Sequence, residues 1–113
     1  MKIISDEIRL EELKQIASGL FGNMLKAVVD VKHELIAVDA ELHSDLEAFL
    51  LKEGSLQEDV WGINIYPELP GVDFVEFDSL INIRPSQGNK IRGIEDERIK
   101  LKILGIVSKR IVK

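Results

Sequence analysis

The sequence contains no cysteine among its 113 residues. Disulfide bridges, thiolate nucleophiles and cysteine-ligated zinc are therefore excluded. The same absence removes any argument for an oxidising compartment, so the cytoplasm is the expected location.

Long apolar runs are missing as well. No stretch approaches the roughly 18 consecutive apolar residues that a membrane-spanning helix needs, so no membrane partner is expected. Residues 1–7 lack the apolar run that follows the basic start of a signal peptide, and none is expected here. The sequence thus predicts a soluble protein.

An excess of positive charge is also absent: 15 basic residues stand against 20 acidic ones, for a net charge of −5. Residues 1–89 carry 7 basic and 17 acidic side chains, whereas residues 90–113 carry 8 basic and 3 acidic. An acidic protein is a poor general binder of nucleic acid, which makes an RNA-processing or toxin-like role the weakest hypothesis. The basic end is interpreted as the outer face of a helix or, alternatively, as a surface for an acidic partner.

The pattern of apolar residues predicts one α+β domain over residues 1–113. Helical spacing appears in three segments: 9–21, 45–53 and the residues from Asp96 onward. Runs or alternation typical of strands appear in four segments: 24–31, 35–40, 60–66 and 74–84. With a possible first strand at Ile3–Ile4, we expect a mainly antiparallel sheet of four to five strands and three helices, in the order (β)-α-β-β-α-β-β-α.

The segment that opens the second predicted helix has the spacing of a capping box. In Ser44-Asp45-Leu46-Glu47, the serine hydroxyl would accept from the backbone N–H of Glu47, while the carboxylate of Glu47 would reach back to Ser44. This pattern predicts that Ser44 caps the helix.

The connection from residue 82 to residue 96 is the most suggestive stretch for binding. It contains side chains that could bind an anion, and glycines that let a backbone approach a ligand. The candidate ligand-binding residues are Asn82, Arg84, Gln87, Asn89 and Arg92. The simpler interpretation is a structured turn whose arginines pair with nearby carboxylates, and the acidic residues 95–97 would repel a phosphate at the next helix.

Polar residues also share one face of the last two predicted strands. This face carries Asn64, Tyr66, Glu76, Asp78, Asn82 and Arg84. It is either an ordinary solvent-facing side of the sheet or the floor of a cleft that continues into the 84–94 loop, with Asn64 as a further ligand-binding candidate.

The only histidine outside a predicted turn lies between two acidic residues. In an extended chain Glu41, His43 and Asp45 would project to one side, where they could hold a divalent metal or serve as acid–base groups. A boundary histidine before a capped helix is the simpler interpretation, under which no metal is bound. No cofactor can be assigned.

Several segments resemble a small uncharacterised family of bacterial and archaeal proteins that is classed as a domain of unknown function. The resemblance lies in residues 57–67, 77–89 and 92–96, and extends to Glu41–His43 and Asp45. It implies a single compact domain and supplies no activity, so no catalytic role can be transferred to a residue of this chain.

Two functions follow as hypotheses, and the sequence leaves open whether the protein is an enzyme. The first is a small cytosolic binding or interaction domain, with a protein partner or a homo-oligomer. The second is an enzyme or binding protein for an anionic, for example phosphorylated, small molecule that uses the Arg84–Arg92 loop and the region of His43.

Overall fold

A five-stranded antiparallel sheet forms the centre of the computed structural model, which describes residues 1–113. In spatial order its strands are β1 (Lys2–Ile4), β4 (Leu35–Val38), β3 (Leu25–Asp30), β5 (Val60–Ile65) and β6 (Val75–Glu76). In the centre of the sheet, Val28 lies opposite Ala37 on one side and Gly62 on the other.

Three helices pack around this sheet, as predicted. They are α1 (Leu10–Ser18), α2 (His43–Lys52) and α3 (Glu97–Arg110). Two short strands, β2 (Ile8–Arg9) and β7 (Ile111–Val112), form a separate parallel pair. The α+β class, the three helices and the mainly antiparallel sheet are confirmed, and none of the helices has the length and apolar character that crossing a membrane requires.

The two faces of the sheet carry cores of different size. A cluster of 17 buried residues joins the sheet to α1 and α3, with Leu13 and Ile103 among its members. A smaller cluster of five joins the other face to α2. Because both faces are covered, every residue of β5 is buried.

The hairpin between β3 and β4 is confirmed, and Asp30 organises its turn. The Asp30 carboxylate accepts hydrogen bonds from the backbone N–H groups of Lys32 and His33 and from the hydroxyl of Ser55. Glu34 follows in the left-handed backbone region with φ of 58°, which closes the turn.

The predicted strand over 74–84 is wrong for most of its length. Only Val75–Glu76 pairs with β5, and the chain then leaves the sheet and forms short 3-10 turns at Leu80–Asn82 and Pro85–Gln87. From Asn82 onward burial is the reverse of what alternation predicts, since Asn82 and Arg84 are buried while Ile83 is exposed. The physical reason is that the side chain of Asn82 replaces a backbone neighbour of β5.

The capping box at Ser44 does not form. Helix α2 begins at His43, the N-cap position belongs to Leu42, and no side chain caps the helix. The carboxylate of Glu47, which the pattern assigned to the box, is instead 3.2 Å from the guanidinium of Arg84. A buried arginine therefore determines where Glu47 points.

Candidate functional site

Beyond its short pairing with β6, the outer edge of β5 is hydrogen-bonded by side chains. Alternate residues of an antiparallel strand present their N–H and C=O groups to the same neighbour. Tyr66 N–H, just after β5, donates to the carbonyl of Phe74. At Gly62 no strand is present, and Asn82 takes its place: Oδ1 accepts from Gly62 N–H at 2.8 Å and Nδ2 donates to Gly62 C=O at 2.9 Å.

Arg84 completes the same edge and has no donor left for a ligand. Its Nε donates to the carbonyl of Ile81, and its Nη2 donates to the carbonyl of Val60 and to Glu47. Its Nη1 donates to the carbonyl of Gln57 and, at 3.5 Å, to the side-chain oxygen of Gln87. Burial lowers the pKa of Arg84, while the charge of Glu47 opposes that shift. Because all of these bonds are to groups of the protein, the role of the guanidinium is to stabilise the fold.

Asn89 holds the connection that follows. Its Nδ2 donates to the backbone carbonyls of Asn82, Ile91 and Gly93, and its Oδ1 accepts from Glu95 N–H. The loop therefore has the structured form in which polar side chains satisfy its own backbone. Gln87 lies at its surface and donates to the carbonyl of Glu58.

A cleft of about 270 Å³ lies where the N-terminus of α2 meets the sheet and the segment after β6, and we call it the α2 cleft. Its polar lining residues are Lys26, His43, Ser44, Asn64, Asp78, Ser79 and Arg92. Lys26 and Asn64 are paired across β3 and β5 and share the sheet face that α2 covers further along. They form the floor of the cleft.

The N-terminus of α2 opens into this cleft without a cap. The first backbone N–H groups of a helix have no partner within it and carry its partial positive charge. Here those of His43 and Ser44 find no side-chain acceptor either. The start of a ten-residue helix therefore offers free amides at a cleft wall.

His43 is held in one tautomer. Its Nε2 lies 2.8 Å from the carbonyl oxygen of Ile63, which can only accept, so Nε2 carries the proton. Burial lowers the pKa of His43, and the charge of Lys26 acts in the same direction, against the hydrogen bond to Ile63. The imidazole is therefore neutral near pH 7, and its Nδ1 is an acceptor without a partner in the protein.

The position of His43 depends on a close approach to Gly62. A Cβ atom at Gly62 would lie 3.2 Å from Cδ2 of His43 and 2.6 Å from Cβ of Ser79. Only glycine leaves the room that both side chains need. Asn82 binds the backbone of Gly62, and the imidazole of His43 packs on the same glycine.

Asn64 contributes a second unpartnered acceptor. Its Nδ2 donates to Oε1 of Glu76 at 2.9 Å, and the same oxygen accepts from the Tyr66 hydroxyl. Its Oδ1 is buried and has no hydrogen-bond partner. Buried polar atoms in native proteins are nearly always paired, so this acceptor, on a residue that lines the cleft, is available to a donor from a ligand or from water.

Two cations flank the cleft in different states. Arg92 is paired with the carboxylate of Asp78, with Nε 2.6 Å from Oδ1, and both side chains are substantially exposed. Lys26 has no carboxylate partner, and its Nζ lies 5.4 Å from the centre of the Phe21 ring. The cleft therefore holds one free cation and one that a bound anion could take from Asp78.

The α2 cleft brings together three of the candidates that the sequence predicts: His43, Asn64 and Arg92. Asn82, Arg84, Gln87 and Asn89 do not line it. Glu41 and Asp45 are exposed, and no group of three or more histidine or carboxylate side chains could hold a metal ion. The start of α2 at His43 ends the extended chain that would have aligned Glu41, His43 and Asp45.

Sequence reasoning missed Lys26 and gave no role to Ser79. Lys26 is the only charged residue between Met24 and Val29, and that isolated charge within a strand run is the signal that could have identified it. Ser79 has no such signal, although it is buried and lies against Gly62.

A second, larger cavity lies between α1, α3 and the loop before β6. Its volume is about 480 Å³, and apolar side chains such as Leu10, Phe74 and Leu104 dominate its lining. None of the buried polar atoms without a partner belongs to a residue that lines it. The α2 cleft is therefore the better candidate for a site that recognises a polar ligand.

The comparisons with known proteins bear on family alone. No curated protein and no solved structure matches the chain. A family model matches residues 2–110, which is nearly the whole chain and includes every residue of the α2 cleft. The chain therefore belongs to the family described as protein of unknown function (DUF5674).

Proposed function

We propose that this protein binds a small anionic molecule in the α2 cleft. The observation that carries the proposal is the uncapped N-terminus of α2, which opens between Lys26 and Arg92. In this arrangement the anion lies on the free N–H groups of His43 and Ser44, and the two cations bind it from the sides.

The electrostatics of the cleft favour an anion. A helix N-terminus carries about half a positive charge and is a recurrent phosphate- and carboxylate-binding feature. Lys26 and Arg92 add two charges and Asp78 removes one, which leaves a net positive site in a protein whose net charge is −5. The buried Oδ1 of Asn64, which has no hydrogen-bond partner, independently supports a bound ligand, and so does Nδ1 of His43, which no group of the protein bonds.

His43 also supports an acid–base role as a second candidate. It is a neutral imidazole with one nitrogen fixed on a backbone carbonyl and the other unpartnered, which is how a general base is commonly oriented. Catalysis remains a prediction, and it would appear as turnover that is lost in His43→Gln while the anion still binds.

Calorimetric titration of the full chain with inorganic phosphate, n-propyl phosphate and sn-glycerol 3-phosphate tests the binding proposal. We expect at least one of them to bind, and a bound ligand also raises the melting temperature by mass action. Lys26→Met and Arg92→Gln should each weaken binding about five- to tenfold, since each removes a charge-assisted contact.

Arg98→Gln is the matched control. Arg98 is 94% exposed at the start of α3, makes only a 3.9 Å contact with Asp96 and does not line the cleft. If binding falls equally in Arg98→Gln and Arg92→Gln, the anion is held by general surface charge and the proposal is wrong.

Three further expectations stay predictions alongside this one: the cytoplasmic location, a protein partner and a homo-oligomer. The mass of the purified protein in solution, measured by light scattering over a range of concentrations, tests the oligomer directly.

A further inference from the structure

Two acceptor atoms in the α2 cleft have no donor. They are Oδ1 of Asn64, which is a buried atom, and Nδ1 of His43, whose ring is hydrogen-bonded only through Nε2; the exposed fractions of the two residues are 6% and 8%. A buried acceptor such as Asn64 Oδ1 is costly when it has no partner, and an acceptor at a cleft wall such as His43 Nδ1 loses its bond to water when a ligand covers it. The cleft thus contains a requirement that a carboxylate or a fully ionised phosphate cannot meet, because all of its oxygens are acceptors themselves.

Neither acceptor can be satisfied by changing its own state. His43 cannot exchange its tautomer, because Nε2–H is needed by the Ile63 carbonyl. Asn64 cannot flip its amide, because Nδ2 donates to the carboxylate of Glu76 and lies 3.4 Å from the carbonyl of Asp78. Both acceptors therefore require a donor that comes from the ligand or from water.

We infer that the ligand carries a hydroxyl group beside its anionic group, as a hydroxy acid or a phosphorylated polyol does. This inference rests on the proposed function and specifies its ligand. The anionic group lies on the α2 amides with Lys26 and Arg92, and the hydroxyl group donates to His43 Nδ1 or Asn64 Oδ1.

The charges of the cleft favour a hydroxyl donor over an ammonium donor. Lys26 and Arg92 would repel a second cation, and the single carboxylate in the lining, Asp78, is already paired with Arg92. A hydroxyl group supplies a donor without charge. The volume of about 270 Å³ lies just below the usual range for drug-sized ligands, so the ligand is small.

Two matched pairs of probes test the inference on the full chain. The first pair is sn-glycerol 3-phosphate and n-propyl phosphate, which share a three-carbon skeleton and differ by two hydroxyl groups. The second pair is lactate and propionate, which separates carboxylate from phosphate recognition. In at least one pair, we expect the hydroxylated member to bind about tenfold more tightly or better, because its analogue leaves a buried acceptor unpaired.

His43→Gln locates the preference. The glutamine amide keeps a donor for the Ile63 carbonyl, but its acceptor oxygen does not occupy the position of the ring nitrogen that accepts from the ligand. We expect it to reduce the affinity for the hydroxylated member severalfold more than the affinity for the hydroxyl-free member, so that the ratio of the two affinities falls. A purely structural role of His43 would instead lower both affinities together, and the circular dichroism spectrum reports whether the variant is folded.

The outcomes separate the inference from the proposed function. If both members of each pair bind equally and binding depends on Arg92, the inference is overturned and the proposed function stands. If no probe binds, both fail. If the preference exists but persists unchanged in His43→Gln and in Asn64→Leu, these acceptors are not its source and the inference is wrong.

Discussion

Asn82 pairs with Gly62 through both of its amide groups, at 2.8 Å and 2.9 Å, and so acts as a one-residue strand at the edge of β5. Its Nδ2 also donates to the carbonyl of Arg92. One buried side chain thereby connects the central sheet, the end of the broken strand and the residue that closes the α2 cleft.

Replacing this amide should destabilise the whole domain. Asn82→Ala leaves the N–H and C=O of Gly62 buried without partners, and we expect a loss of about 2–4 kcal/mol in the free energy of unfolding. Urea denaturation followed by circular dichroism measures it. Asn23→Ala, at an exposed position, should stay within about 0.5 kcal/mol of wild type. Equal effects of the two substitutions would show that the edge pairing contributes nothing.

Two glycines should respond to alanine with opposite signs. In Gly62→Ala the new Cβ meets Ser79 Cβ at 2.6 Å, so we expect a loss of about 1–3 kcal/mol and a displaced His43. In Gly105→Ala no atom lies within 4 Å of the new Cβ. Because glycine is less favourable than alanine inside a helix, we expect the free energy of unfolding to rise by about 0.5–1 kcal/mol. Thermal unfolding of both variants measures the two effects. A stabilised Gly62→Ala would contradict the close packing described here.

The pair formed by Asp78 and Arg92 should compete with the bound anion. Asp78→Asn removes the carboxylate from a contact of 2.6 Å and leaves Arg92 free for the ligand. We expect the affinity for the best-binding anion of the titration series to rise about three- to tenfold, which is the magnitude of one charge-assisted contact near a surface.

Glu97→Gln is the control for that substitution, since it removes one negative charge on α3 outside the cleft. Isothermal titration at two salt concentrations compares the variants. An unchanged affinity in Asp78→Asn would mean that Arg92 is not released to the ligand. The assignment of Arg92 to the anion site would then be wrong.

The stability of the protein should depend on pH through His43. Its pKa in the folded protein is below the ordinary value of 6.5, because the ring is buried and faces Lys26 and Arg92, with Asp78 and the Ile63 carbonyl opposing the shift. Below pH 6.5 the unfolded chain takes up a proton that the folded chain does not, so the free energy of unfolding falls as the pH falls. At pH 8 His43 is neutral in both the folded and the unfolded chain, and this loss of stability is absent.

His43→Gln isolates the effect, because every carboxylate of the protein titrates in both chains. We expect the difference in melting temperature between wild type and variant to shift in favour of the variant as the pH is lowered from 8 to 5. A difference that is constant over this range would show that the pKa of His43 is the same in the folded and unfolded states.

The sequence by itself determined the elements whose signals are local. Helical periodicity placed α1 and α3, the paired β-branched runs placed the β3–β4 hairpin, and alternation placed β5. Asp96 at the start of α3 caps that helix through a bond from Arg98 N–H, close to where the pattern places the start. Each of these depends on neighbours within a few residues.

Only the tertiary structure decided the broken strand and the site. Alternation over 74–84 is compatible with a strand, but a strand needs a backbone partner, and beyond Glu76 the edge of β5 is taken by the side chains of Asn82 and Arg84. Ser44 has the local pattern of a cap, yet Glu47 pairs with Arg84, 37 residues away, and the helix starts at His43 uncapped. The α2 cleft exists because these long-range hydrogen bonds override local preference, and a single sequence does not reveal which distant residue satisfies which backbone group.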